Sequence, residues 1–224
     1  MTQVLPAIIP QNKQQLEEEI KKVSSFAKLV QVDISDGIFT PIKTWPYNGR
    51  DVEFFEQLKT EETGWPNWQD VEFEIHLMVQ NPETVVGDWI HTGVSAIVAH
   101  IEATENFQRI IDICRESGVK VGIAIKPSTD TECLQPFADS VDFIQVMGSD
   151  DLGKHGVELE DKAVEMIRAL RERYPERIIA IDIGVSEETA EMLVDAGVTK
   201  LISGGAILNA PHPDEVFKKL QRLH

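Results

Sequence analysis

LVQVDISDG at residues 29–37 and RIIAIDIGV at 177–185 are two apolar runs, each with an aspartate at its carboxyl end, Asp33 in the first and Asp182 in the second. A third run, VEFEIHLMV at 71–79, ends near His76. If these runs are parallel strands of one barrel, their ends converge on one mouth. Two carboxylates and an imidazole then face one small pocket. A carboxylate on each face of a carbon is what proton removal and return with inversion require, one group taking the proton and the other supplying it.

The rest of the chain follows the same rhythm. Further strand candidates are VLPAII (4–9), SAIVAH (95–100), VKVGIAI (119–125), VDFIQVM (141–147) and TKLISGG (199–205). Helical spacing separates nearly all of them. Leu16, Ile20, Val23 and Phe26 form one stripe behind a capping Asn12, and NFQRIIDICRESG stops at Gly118. Ala163, Met166, Ile167 and Leu170 share a face of a longer helix, and Ser186 is the expected cap of SEETAEMLVDAG. Strands alternating with helices give a parallel sheet with helices outside. Eight such units predict an α/β fold, a (β/α)8 TIM barrel, as a single domain over 1–224 with catalytic groups at the carboxyl ends of the strands. One stretch breaks the rhythm. Residues 38–70 hold Trp45, Trp65 and Trp68 with Pro41, Pro46 and Pro66, and only RDVEFFEQLK there reads as a helix. This insertion is expected to be a lid, an oligomer contact or a locally packed cover.

Composition narrows the partners. The 224 residues carry a formal net charge of -17, which argues against nucleic acid and anionic membrane surfaces but leaves room for a small phosphorylated ligand held by backbone N–H groups. Cys114 and Cys133 show no pairing pattern, as expected for a reducing cytoplasm. No basic, then apolar leader is visible at the start, and no run approaches a membrane span. A homo-oligomer is compatible with this composition.

Seven motifs in order resemble one family, ribulose-phosphate 3-epimerase: VDISDGIFTP (32–41), EIHLMVQNPE (74–83), HIEATEN (100–106), GIAIKPSTD (122–130), VDFIQVM (141–147), IDIGVSEETAEMLVDAG (181–197) and SGGAIL (203–208). The resemblance implies inversion at the carbon beside a ketone of a phosphorylated sugar, through an enediolate. It assigns the acid/base roles to Asp33 and Asp182, and it implies a divalent metal (zinc, manganese, iron or magnesium) held by Asp33, His76 and Asp182. Met78 and Met147 fall in the substrate pocket on the same basis. Gly184, Gly204 and Gly205, after the last two strands, become candidates for phosphate binding, with Lys154 an added cation.

The sequence departs from the family pattern at defined places. Gln31 stands where a second histidine ligand is implied, and an amide oxygen is a weak fourth ligand beside imidazole, least suited to zinc. Ile183 follows Asp182 where the family has glycine. The loop GSDDLGKHG at 148–156 keeps Gly153 and Gly156 but adds Asp150, Asp151, Lys154 and His155. Lys126 stands where the family has asparagine, and its parity with Ala124 directs it into the barrel mouth. Two alternatives therefore stand beside the epimerase: a metal-independent sugar-phosphate enzyme using Lys126 as a charge or Schiff base, and a catalytically silent barrel that binds a sugar phosphate or a partner. VDISDG lacks the lysine that related sugar-phosphate decarboxylases place between two aspartates, which weighs against decarboxylation.

Overall fold

Eight parallel strands close on themselves in the computed structural model of the chain, which describes residues 2–154 and 156–223. They are β1 (Gln3–Ile8), β2 (Leu29–Ser35), β3 (Glu72–Met78), β4 (Ala96–His100), β5 (Lys120–Ile125), β6 (Phe143–Met147), β7 (Ile178–Asp182) and β8 (Lys200–Ser203). Each pairs with the next, and β8 pairs with β1 to complete the ring. Around them run α1 (Lys13–Val23), α2 (Val52–Lys59), α3 (Val86–His91), α4 (Phe107–Glu116), α5 (Asp161–Arg173), α6 (Ala190–Asp195), α7 (Gly205–Leu208) and α8 (Pro213–Gln221). Between β5 and β6 the only helical piece is a 3-10 turn, Thr131–Leu134.

The eight strands and the TIM barrel expected from the alternating pattern are those observed. α1 begins at Asn12, whose side chain accepts from the Gln15 N–H at 2.8 Å. Leu16, Ile20 and Val23 on its inner face are buried, as are Ala163, Met166, Ile167 and Leu170 of α5. Burying each larger aliphatic side chain contributes about 1.5–3 kcal/mol, and this stripe between strands and helices forms the outer core. The cap of α6 differs from expectation. Helical geometry begins at Ala190 behind Thr189. The Ser186 hydroxyl is engaged by Glu188 instead, accepting from its N–H and donating to its carboxylate. The local serine turn wins over the cap because the acid two residues on captures the hydroxyl first.

The insertion at 38–70 is largely a packed cover. Trp45 is fully buried, edge-on to Trp65 at 6.0 Å and Trp89 at 6.1 Å. Its indole N–H donates to the Asp51 carbonyl at 3.2 Å, and that of Trp65 to the Thr92 carbonyl at 2.9 Å. Trp68 alone of the three is exposed.

Inside the ring, register decides what meets what. Gln31 lies beside Glu74, Asp33 beside His76, and Ser35 beside Met78 on the paired strands β2 and β3. Side chains of like parity share a face, so these six point into the barrel in three steps from bottom to mouth. The lowest step holds a buried ion pair. Lys200 Nζ lies 2.7 and 2.6 Å from the two Glu74 oxygens and 3.6 Å from the centre of the Phe143 ring.

Candidate active site

Asp33 sits within β2 and Asp182 is the last residue of β7, so both carboxylates reach the same end of the barrel. One ligand atom from each of Asp33, His76 and Asp182 lies within 4.8 Å of the others, and all three residues are buried. His76 Nδ1 is 3.1 Å from Asp33 Oδ1 and 3.4 Å from Asp182 Oδ2. The Gln31 amide nitrogen donates to both carboxylates, at 2.8 Å to Asp33 Oδ1 and 3.1 Å to Asp182 Oδ2. The other Asp182 oxygen accepts from the Ile183 N–H at 2.9 Å.

The polar chain continues behind His76. Its Nε2 faces His100 Nε2 at 3.0 Å, and His100 Nδ1 faces Glu102 Oε2 at 3.2 Å. Glu102 also accepts from the Lys126 main-chain N–H at 2.8 Å and the Thr129 hydroxyl at 2.7 Å. Burial works against charge on His76, but the bonds and charges of Asp182 and Asp33 outweigh it and hold the imidazole at about 9. Burial prevails at His100, which falls to about 4 despite Glu102. Burial would raise Glu102, yet its bonds from His100, Lys126 and Thr129 bring it to about 2. At neutral pH the row behind the two aspartates therefore reads carboxylate at Glu102, neutral imidazole at His100 and imidazolium at His76.

Above this floor opens a cavity of about 740 Å³. Asp33, Asp182, Met78, Met147, Gly184, Gly204, Gly205 and Lys154 line it, so the structure brings most of the sequence candidates together. His76 and Gln31 lie beneath, fully buried. The loop after β6 closes one side. Its Ser149 hydroxyl donates to Glu160 at 2.6 Å, and Leu152 is buried with Met78 and Met147 in the inner apolar cluster. Lys154 is half exposed and paired with Asp151 at 2.6 Å, while His155 lies outside the described residues.

Lys126 departs from its expected place. Its Nζ lies 4.3 Å from the centre of the Phe39 ring, and it is not among the cavity's lining residues. Strand β5 ends at Ile125, so the parity that aimed Lys126 inward stops one residue short of it. A reaction built on its amine is not supported. His100 and Glu102 were missed as individual residues, although HIEATEN is conspicuous; their inward placement follows from the closure of β4 onto β5, where His100 pairs with Ala124.

A divalent cation fits the floor by charge. Glu74 and Lys200 neutralise each other below, and Asp33 and Asp182 set two acidic side chains against the single imidazolium of His76. Gln31 Oε1 is buried with no hydrogen-bond partner among the described residues, and turning the amide over would bring this acceptor to the carboxylates in place of the nitrogen.

Barrel, carboxylate pair and glycine-lined cavity define a sugar-phosphate enzyme of the TIM-barrel class. The chain belongs to the ribulose-phosphate 3-epimerase family, whose model matches residues 3–208. It is 29% identical over 219 residues to the ribulose-phosphate 3-epimerase of Schizosaccharomyces pombe, covering 97% of this chain and 92% of the relative. The Synechocystis enzyme of the same name is 31% identical over 221 residues, with 96% and 90% covered. Among solved structures, 3-hexulose-6-phosphate synthase from Salmonella typhimurium superposes with a TM-score of 0.73 at 15% identity, over 99% of this chain and 97% of that one, a likeness of fold.

Proposed function

We propose that the chain inverts the carbon next to the carbonyl of ribulose 5-phosphate, with Asp33 and Asp182 as the two acid/base groups. As a member of its family it is an epimerase acting on a phosphorylated ketose. The observation that carries the residue assignment is that two carboxylates from β2 and β7 reach one cavity floor from different sides of the ring. A substrate carbon between them meets a base on one face and an acid on the other. One aspartate, entering as the carboxylate, takes the proton while the carbonyl oxygen gathers the charge; the other, entering as the protonated acid, gives its proton to the opposite face, so the two exchange protonation states in each turnover.

The surrounding residues prepare this exchange. Gln31 and His76 hold the carboxylates in place through the bonds described above. Met78 and Met147 wall the cavity with apolar thioethers, which keeps water from the reacting carbon. Gly184, Gly204 and Gly205 let main-chain N–H groups approach a phosphate at the far end. Gly184 has φ +74, and a Cβ there would lie 2.6 Å from that of Leu159. Asp33, His76 and Asp182 would hold the family's divalent metal with Gln31 as a neutral fourth ligand, and the metal would supply Lewis-acid stabilisation of the developing oxyanion. One nitrogen and otherwise oxygen donors suit manganese, iron or magnesium better than zinc. With Cys114 and Cys133 both free, the cytoplasm is the proposed compartment.

The test is turnover of ribulose 5-phosphate to its C3 epimer, with and without added metal, by wild type and Asp182→Asn. Losing one general base lowers kcat by roughly 10²–10⁴-fold. Parental turnover by the variant would refute the two-base assignment.

A further inference from the structure

Glu102 ends the polar row behind His76, and both of its oxygens are in use. Oε1 accepts from the Lys126 main-chain N–H at 2.8 Å and from the Thr129 hydroxyl at 2.7 Å. Oε2 faces His100 Nδ1 at 3.2 Å. A main-chain N–H can only donate, so Lys126 requires an oxygen at the first position whatever the residue. Only a carboxylate then has a second oxygen to offer His100. An amide of the same shape would turn its NH2 group there.

That choice propagates inward. His100 and His76 are fully buried, so their partners are those the fold supplies. The Phe39 ring, centred 4.8 Å from that of His100, packs against it from the loop after β2. With an acceptor at Oε2, His100 carries its proton on Nδ1 and presents a bare Nε2. His76 Nε2, 3.0 Å away, then carries the proton of their shared bond. The single proton of a neutral His76 is thereby spent on the Nε2 side. Its Nδ1 lone pair is left facing Asp33 at 3.1 Å and Asp182 at 3.4 Å. With a donor in the place of Oε2 every step reverses. His100 would be protonated on Nε2, His76 Nε2 would accept, and a proton would sit on Nδ1 between the carboxylates.

We propose that Glu102 is a positioning residue that assigns the protons of His100 and His76, and so keeps His76 Nδ1 available to a divalent cation held with Asp33 and Asp182. Glu102 is not among the residues lining the cavity and acts through two imidazoles. The inference rests on the reading of Asp33, His76 and Asp182 as the cation's ligands.

The experiment compares wild type, Glu102→Gln and Thr129→Val, each cation-free and then titrated with manganese against a calibrated chelator. NMR of isotope-labelled histidine reads which ring nitrogens carry protons in the cation-free proteins. Wild type should show a proton on His76 Nε2 and on His100 Nδ1. In Glu102→Gln the His76 Nε2 proton should be lost and the His100 proton should move to Nε2. Manganese affinity should fall with it by about 10–100-fold, the usual worth of a contact that orients a ligating imidazole. Thr129→Val removes a bond to Oε1 but leaves Oε2 on His100, so protons and affinity should stay as in wild type. A His76 Nε2 proton that survives in Glu102→Gln, an unchanged manganese affinity there, or an equal loss of affinity in Thr129→Val would each overturn the proposal. The wild-type spectrum decides by itself if the glutamine variant does not fold, because a bare His76 Nε2 in wild type overturns the proposal too. A wild type that takes up no manganese, while the histidine protons move as expected, would sink the cation reading and leave the proton assignment by Glu102 standing.

Discussion

His76 Nε2 and His100 Nε2 face each other at 3.0 Å, with the ring centres 5.1 Å apart and the ring planes inclined by 24°. Two ring nitrogens can share a hydrogen bond only if one carries the proton. His100 gives its Nδ1 proton to Glu102, so its Nε2 is the acceptor and His76 Nε2 is the donor. That fixes the other His76 nitrogen, Nδ1, toward the carboxylate pair. A buried imidazole whose far nitrogen is held by a carboxylate-backed partner is the arrangement that presents a ligand atom in one orientation.

The same relationship sets a pH dependence. In the cation-free protein His76 is held at about 9, so a proton on Nδ1 occupies the place where a cation would bind. Cation binding must displace it, and apparent affinity should fall about tenfold per pH unit below 9. The sign for stability is opposite. A raised imidazole stabilises the cation-free fold fully below its ordinary value of 6.5, and this contribution is lost as pH rises through about 9. A manganese salt should therefore raise the melting temperature more at about pH 8.5 than at about pH 6.5, relative to chelator. Equal shifts at the two pH values would show that His76 does not exchange its proton for metal.

Gln31 supplies a second test. With its amide nitrogen on both aspartates, its oxygen is left without a partner. Turning the amide over would place the oxygen on the carboxylates, which only an intervening cation makes favourable. Gln31→His replaces a neutral amide by imidazole and should tighten zinc more than manganese or magnesium. Adding Lys126→Asn should change nothing further, because the Lys126 ammonium lies over Phe39 and outside the cavity lining. Competition with a calibrated chelator reads both affinities. A further gain from the double variant would restore Lys126 to the site.

The barrel and its central triad were legible because strands buried on both faces leave long apolar runs, and a polar residue at such a run's end stands out. Asp33, His76 and Asp182 are of that kind. Residues just beyond a strand were not legible. Parity placed Lys126 in the mouth, but the strand stops at Ile125 and the chain turns at Pro127. Ile183 was visible as an unexpected residue, while its positive φ belongs to the turn and has no signature in sequence. The buried state of Trp45 and Trp65 depends on Trp89 and Phe73, which lie outside the insertion and meet it only in the fold.

The Glu74–Lys200 pair at the base of the barrel carries the last prediction. Both side chains are almost fully buried, 126 positions apart, and joined by two short bonds. Burial pushes the Lys200 ammonium down, and Glu74 pulls it back up. Such a pair gains little over a well-packed apolar one, because the desolvation of two charges offsets most of their attraction. Removing one partner is different, since the other is then left charged and dry. Lys200→Met and Glu74→Met should each destabilise by about 3–5 kcal/mol, read by urea unfolding, whereas the double variant should recover most of that loss. Lys200 also rests on the Phe143 ring, a contact the methionine side chain can take over through its thioether. Additive losses in the double variant would mean that the two residues act separately, and that the pair does not hold the strands β3 and β8 together across the barrel floor.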